Sequence, residues 1–272
     1  MNGDAAILNG GPGAWAFEEH ANRLAAVLGV DVGDTAADYV YLLGWDEAAP
    51  PACLDMFIPY EAIRVASDKR QQAELFARYQ VNTPETHLLE TPKAVQVLLS
   101  SRGEREWVLK YPTGCGASGH RMLRPGIPLP AGWPTPYVVQ EFVKMPEPEV
   151  YRLYGVAGET FGWNVRRFPT GVRSSPWVAH VRGARYADAG TPPPEAVLAT
   201  RDALAATGLQ ASFGCVDLLR AEDGRWLVLE VGTDGLFNHV DRDLGLPAIE
   251  AELDQRLGEA FLRWAEARCP PR

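Results

Sequence analysis

Cysteine is scarce in this chain. Only 4 occur in 272 residues, Cys53, Cys115, Cys215 and Cys269, and no two form a CxxC pair. That pattern excludes a disulfide framework or a cysteine zinc site as the organising feature and fits reduced thiols. Positive charge is short as well. The 26 Lys and Arg stand against 35 Asp and Glu, for a formal net charge of -9, and they form no basic run. Nucleic-acid binding rests on clustered cations at the phosphates, so it is excluded as the main activity. No apolar run approaches the ~20 residues of a membrane span. Ala5–Leu8 is too short for the apolar core of a signal peptide. The expectation is a cytoplasmic protein without a membrane partner. Nothing repeats along the chain. The remaining composition, 46% hydrophobic and 22% charged, is that of a globular protein long enough to bury a core without staples.

Local patterns divide the chain. Ala5–Asn9 and Tyr39–Gly44 read as short strands around a helix at Ala16–Gly29, and Pro50-Pro51 reads as a linker. Ser67–Gln80 has helical periodicity; Thr86–Leu89, Trp107–Tyr111 and Tyr137–Val143 read as strands, and Pro92–Leu99 as a helix. Tyr151–Val156 and Thr160–Arg167 flank a turn at Ala157-Gly158-Glu159, as Phe213–Leu219 and Trp226–Val231 flank Ala221–Gly224. Helices follow at Pro193–Thr207 and Leu246–Ala267. Strands paired through hairpins with helices between them predict α+β lobes. The expected division is 1–62, 63–143 and 144–272.

Three constellations carry chemistry. Lys110 ends an apolar strand and precedes the Gly-rich Thr113–Gly119, with Gly116 and Ser118 inside it. A strand-end ammonium beside a loop whose N–H groups can fold over an anion suits phosphate, although the order is not that of a Walker motif; the alternative is a solvated Lys beside a turn. Val138-Val139-Gln140-Glu141-Phe142-Val143 suits an adenine slot, where backbone groups pair with the base edge, and Glu147 and Glu149 follow at a distance suited to ribose. Asp217 and Glu230 are acids embedded in apolar strands that the second hairpin brings together. Buried carboxylates with no evident basic partner point to magnesium.

These pieces resemble, in content and order, the ATP-grasp superfamily. The likeness spans residues 63–267 and is nearest to glutamate-ligase-like enzymes that modify ribosomal proteins or tailor peptides. Ser67-Asp68-Lys69 and Val81–Thr86 resemble the entry to that family's ATP-binding region. The resemblance implies an ATP-grasp fold of two lobes gripping ATP behind a short N-terminal lobe. It implies nucleotide contacts from Lys69, Lys110, Gly116, Ser118, Gln140, Glu141, Val143 and Glu149, and magnesium on Asp217 and Glu230. The implied reaction is ATP-dependent joining of a carboxylate to an amine through an acyl-phosphate. An arginine would hold the acyl-phosphate charge. Arg152, Arg166, Arg167, Arg182 and Arg185 are candidates, with Arg152 and Arg167 preferred because both fall near central strands.

One departure stands out. Gly232 occupies the position where the family has an Asn ligand, leaving Asp234 or Asn238 to replace it, or one metal weakly held. Asn238 is preferred, since Asp234-Gly235 reads as a turn pair. The same departure keeps a nucleotide-binding pseudoenzyme in view. Aromatic segments around Trp163 and Trp177 allow a peptide substrate, with ester or amide ring closure as a third reading. Expected partners are small or peptide carboxylates and amines; a homodimer is left open.

Overall fold

A computed structural model describes residues 5–10, 15–33, 37–45, 49–114, 119–233, 237–245 and 248–268. The chain opens with a parallel sheet. β1 (Ala5–Gly10) leads through α1 (Trp15–Leu28) to β2 (Asp31–Val32), then β3 (Tyr39–Trp45) and β4 (Asp55–Met56), in the order β2-β1-β3-β4. Ile7 and Val40–Leu42 are buried without alternation, as in strands covered on both faces.

Next come α2 (Tyr60–Ser67) and α3 (Lys69–Arg78). The periodicity over Ser67–Gln80 predicts one helix, yet the chain breaks at Asp68, which is extended at φ -129° and ψ 111°. Its carboxylate accepts the Arg70 N–H at 2.9 Å, so an N-cap ends one helix and begins the next. Antiparallel strands β5 (Thr86–Leu89), β6 (Trp107–Lys110), β7 (Arg121–Leu123) and β8 (Tyr137–Glu141) form a second sheet in the order β5-β8-β6-β7. α4 (Pro92–Ser101), started by Thr91 and Pro92, lays Val95 and Leu99 on Trp107, Leu109, Tyr137 and Val139. Strand alternation leaves Val108, Lys110, Val138 and Gln140 on the opposite face.

The third sheet contains β9 (Glu149–Val156), β10 (Glu159–Arg167), β11 (Arg185–Asp188), β12 (Phe213–Arg220) and β13 (Trp226–Gly232). It is antiparallel throughout, in the order β11-β10-β9-β12-β13. α5 (Pro194–Ala206) covers one face. It approaches so closely that a Cβ on Gly155 or Gly214 would lie 2.3 or 2.6 Å from Leu204. α6 (Phe237–Leu244) forms where the sequence reading assigns no element, and α7 (Ala248–Arg268) ends the described chain.

Sheets one and three share one continuous core. It runs from Ile7, Tyr41 and Phe57 through Ile63 and Phe76 to Leu153, Leu204 and Val216, and includes Leu253, Leu257 and Phe261 of α7. The second sheet keeps a smaller core of its own with α4. Among the described residues no helix is long and apolar enough to cross a membrane.

Candidate active site

Strand register builds the site. One row crosses the third sheet from edge to edge: Asp188, Asn164, Arg152, Asp217 and Glu230 stand opposite one another in turn. The hairpin thus brings Asp217 and Glu230 together as its length predicts. A bulge at Leu229 follows, where pairing shifts from Asp217–Glu230 to Leu218–Val228.

The expectation that these acids lack a basic partner is corrected. Arg152 donates to Asp217 from Nε at 2.7 Å and from Nη2 at 3.2 Å, and Arg166 Nη2 donates at 3.1 Å. Burial alone pushes the Asp217 carboxyl up; the guanidiniums of Arg152 and Arg166 more than reverse this, and the net shift is downward. Arg166 is held further by Val178 O at 2.9 Å and the Tyr186 hydroxyl at 2.9 Å. Arg152 Nη1 makes no hydrogen bond among the described residues and remains available to an anion.

The preferred arginine pair is corrected in the same way. Arg167 lies on the other face, 56% exposed, beside Glu149 at 3.5 Å. Straight alternation from Phe161 would carry Arg167 to the cleft face. Gly162, at φ +70°, introduces an extra residue between Phe161 and Asn164, so Arg166 arrives instead. Glu149 also accepts from the Tyr151 hydroxyl on that back face, away from the Asp217 row, so the ribose role expected of it is not supported by its position.

On the facing sheet, Lys110 is 7% exposed. Desolvation lowers its pKa to about 8, with Glu230 raising it and Lys69 lowering it again. Lys69 Nζ lies 3.7 Å from Glu230 and donates to Gly114 O at 2.9 Å. Two cations and Glu230 therefore meet between the sheets. His120 joins them: burial first, then Lys110, Lys69 and Arg182, lower its pKa to about 3. Its ring packs edge-on against Trp177, which also meets Phe142. Sequence reading missed His120, because nothing local marks it.

Gln140 points to the cleft side and donates to Thr86 Oγ1 at 2.9 Å. The Glu141 carboxylate instead faces Arg105 at 3.6 Å, so only its backbone is placed to serve a ligand. Val143 packs with Met145, Leu219, Leu227 and Leu229 in an apolar patch on the β12–β13 hairpin. Gly116, Ser118 and Asp234 lie outside the described residues, as does the side chain of Asn238, whose backbone belongs to α6.

Does this donor set suit magnesium? Among the described residues no three acidic, His or Cys side chains form a cage. Asp217 accepts three guanidinium bonds, two on Oδ2 and one on Oδ1. A carboxylate offers about four lone-pair positions, so one on Oδ1 stays open. Among the described residues Glu230, 38% exposed, has Lys69 as its one ion-pair contact. Two hard oxygen donors beside fixed cations fit a magnesium ion that arrives on phosphate oxygens rather than one held by protein alone.

No family model matches the chain, and no curated protein matches it. Solved structures do. The ATP-grasp ligase PsnB, complexed with a phosphomimetic variant of a minimal precursor, Mg and ADP, aligns at TM-score 0.69 with 15% identity, covering 96% of this chain and 100% of that one. The D-cycloserine synthetase DcsG aligns at 0.66 with 18% identity over 94% and 99%. D-alanine–D-alanine ligase from Bacillus anthracis aligns at 0.67 with 14% identity over 98% and 99%.

Proposed function

From the ATP-grasp fold, which this chain has, we propose an ATP-dependent ligase that joins a carboxylate to an amine through an acyl-phosphate and releases ADP and phosphate. The observation that carries the reading is Lys110, a desolvated ammonium facing Glu230 and Lys69 between two sheets. Among the described residues no carboxylate pairs with it directly; a cation buried in this way is costly, and phosphate would supply the missing charge. PsnB, similar in fold and complexed with Mg and ADP, supports the same assignment.

In this reading Lys110 and Lys69 neutralise phosphate charge, and the Gly116–Ser118 loop adds backbone N–H groups. Val143, with Leu219 and Leu227, forms the apolar seat for a purine, and the backbone of Gln140–Val143 reads its edge. Arg152 and Arg166 hold the oxyanion charge of the activated carboxylate. Glu230 and the open position on Asp217 would hold magnesium, with Asn238 a further candidate; the ion would add charge neutralisation at the transferring phosphoryl group. Each sheet draws its strands from one segment, 5–56, 86–141 and 149–232, which supports the division at 62/63 and 143/144.

The test is an assay with ATP, magnesium and pools of amino acids and short peptides, using hydroxylamine to trap acyl-phosphate. Phosphate release together with a hydroxamate in the mass spectrum is expected. ATP binding without either product would replace the ligase by a nucleotide-binding pseudoenzyme. The aromatic group Trp177, His120 and Phe142 beside the cations favours a peptide as one substrate. A hydroxamate found only in the peptide pool would select that second reading.

A further inference from the structure

Beside the arginine pair lies a second group of polar residues that the ligase reading leaves unused. His180 opens a 3-10 turn, and its Nε2 lies 3.2 Å from Asp243 Oδ2 on α6. An ionised carboxylate only accepts, so Nε2 carries the hydrogen and Nδ1 keeps its lone pair. Asp243 is fixed from behind by the Tyr186 N–H at 3.0 Å and is 7% exposed, whereas the His180 side chain is 22% exposed. Among the described residues Nδ1 of His180 has no hydrogen-bond partner.

The position matters as much as the pairing. The His180 ring is near-parallel to that of Tyr186, with centroids 6.5 Å apart. The same Tyr186 ring receives the guanidiniums of Arg152 and Arg166 at 5.8 and 5.5 Å. Arg166 also holds Val178 O, two residues before His180. An oriented imidazole with an open lone pair therefore adjoins the groups assigned to the activated carboxylate. His239, stacked on His180 at 4.4 Å, cannot serve in its place. Its Nδ1 accepts from Arg242 at 2.6 Å, so a neutral His239 carries its hydrogen on Nε2 and has no lone pair left.

We propose that His180, oriented by Asp243, is the base that takes the proton from the acceptor ammonium and frees its lone pair for attack. The proposal rests on the ligase reading. In the step, His180 Nδ1 takes one proton from the acceptor ammonium; the freed amine then forms the C–N bond as the C–O bond to phosphate breaks, and phosphate leaves with the bonding pair and carries away the second amine proton. Asp243 stabilises the imidazolium against the nearby Arg185 and Arg242.

Two nucleophiles separate this role from a structural one. Hydroxylamine is largely unprotonated at neutral pH, so its lone pair is already free and it needs no base ahead of attack. Amino-acid amides titrate near the α-amine, about 7.7–8.0, and do need one. The comparison uses the acid found by hydroxamate trapping and the best acceptor among the twenty L-amino-acid amides. His180→Gln is expected to keep hydroxamate formation within about twofold and to lose about 10²–10⁴-fold in amide formation at pH 7. The deficit should narrow as pH rises and the amine sheds its own proton. Asp243→Asn, with thermal unfolding as the control for folding, should fall between. Equal losses with both nucleophiles, or no loss with the amide, would overturn the proposal. So would a wild type that forms hydroxamate but no amide with any acceptor. Absence of hydroxamate from the wild type would overturn the ligase reading itself.

Discussion

Lys110 on the antiparallel four-stranded sheet and Asp217 on the five-stranded sheet are buried alike, 7% and 3% exposed, yet their charges are kept in opposite ways. Arg152 and Arg166 clasp Asp217, and its carboxyl is shifted toward the ionised form. Lys110 has Glu230 at longer range and Lys69 against it, and is shifted toward the neutral form. The fall from 10.5 to about 8 corresponds to roughly 3 kcal/mol. Buried ion pairs that are satisfied hold a structure in register, whereas a charge left under-compensated is held for something that arrives later. The five-stranded sheet thus uses its acid to organise its own arginines, and the smaller sheet presents its cation.

The comparison breaks most severely at Asp217. Asp217→Ala leaves two buried guanidiniums without a counter-charge and should cost about 3–5 kcal/mol in urea unfolding. A loss below ~1 kcal/mol would mean that the clasp contributes little.

Lys110→Met should act in the reverse direction, raising stability by up to about 3 kcal/mol at pH 7 while weakening ATP binding at least tenfold in calorimetric titration. The sign follows from the depressed folded pKa. Between about pH 8 and 10.5 the unfolded chain binds more protons at this group, so its contribution to stability rises with pH across that window and is lost as pH falls through 8. The stability gap between mutant and wild type should therefore close from pH 8 to 10.5. A gap independent of pH would show that desolvation of the ammonium is not its source.

Gly162→Ala tests the bulge that brings Arg166, not Arg167, beside Asp217. Its φ is +70°, and a Cβ there would lie 2.7 Å from the Tyr154 ring. A loss of about 1–3 kcal/mol is expected, with a further fall in turnover of the remaining folded protein. Arg167→Ala should leave turnover unchanged, and a large loss there would reinstate Arg167. Smallest in stability is Glu230→Gln, within about 1 kcal/mol because this side chain is 38% exposed. Turnover should nevertheless be abolished across a magnesium titration, and the Lys110 pKa should move below 8 in NMR, since Glu230 is what raises it.

Much of this contrast could be read from the sequence wherever it depends on neighbours along one strand or across one hairpin. Lys110 points inward by alternation, and the hairpin length sets Asp217 opposite Glu230. The arginine clasp was not legible, because its donors lie 65 and 51 residues away, on strands whose order the sequence does not state. The preference for Arg167 over Arg166 fails because one glycine in a left-handed conformation reverses the phase of the strand after it. α6 was missed since its short apolar face begins right after a turn-like segment, and with it the pairing of Asp243 to His180. Asn238, the preferred replacement ligand, lies in the first turn of that helix.

α7 bears on how the protein is made. This last helix lays Phe261 and Trp264 against Tyr41 and Phe57, and its Asp254 binds Arg23 across 231 residues of chain. The opening sheet thus emerges from the ribosome long before its cover exists. At about 5–20 residues per second the interval is roughly 10–50 s, during which an apolar parallel sheet stays open on one side. Growth temperature, translation speed and chaperone supply should then govern the yield of folded protein more than its final stability does. A circular permutant that encodes α7 ahead of β1 would shorten that exposed interval.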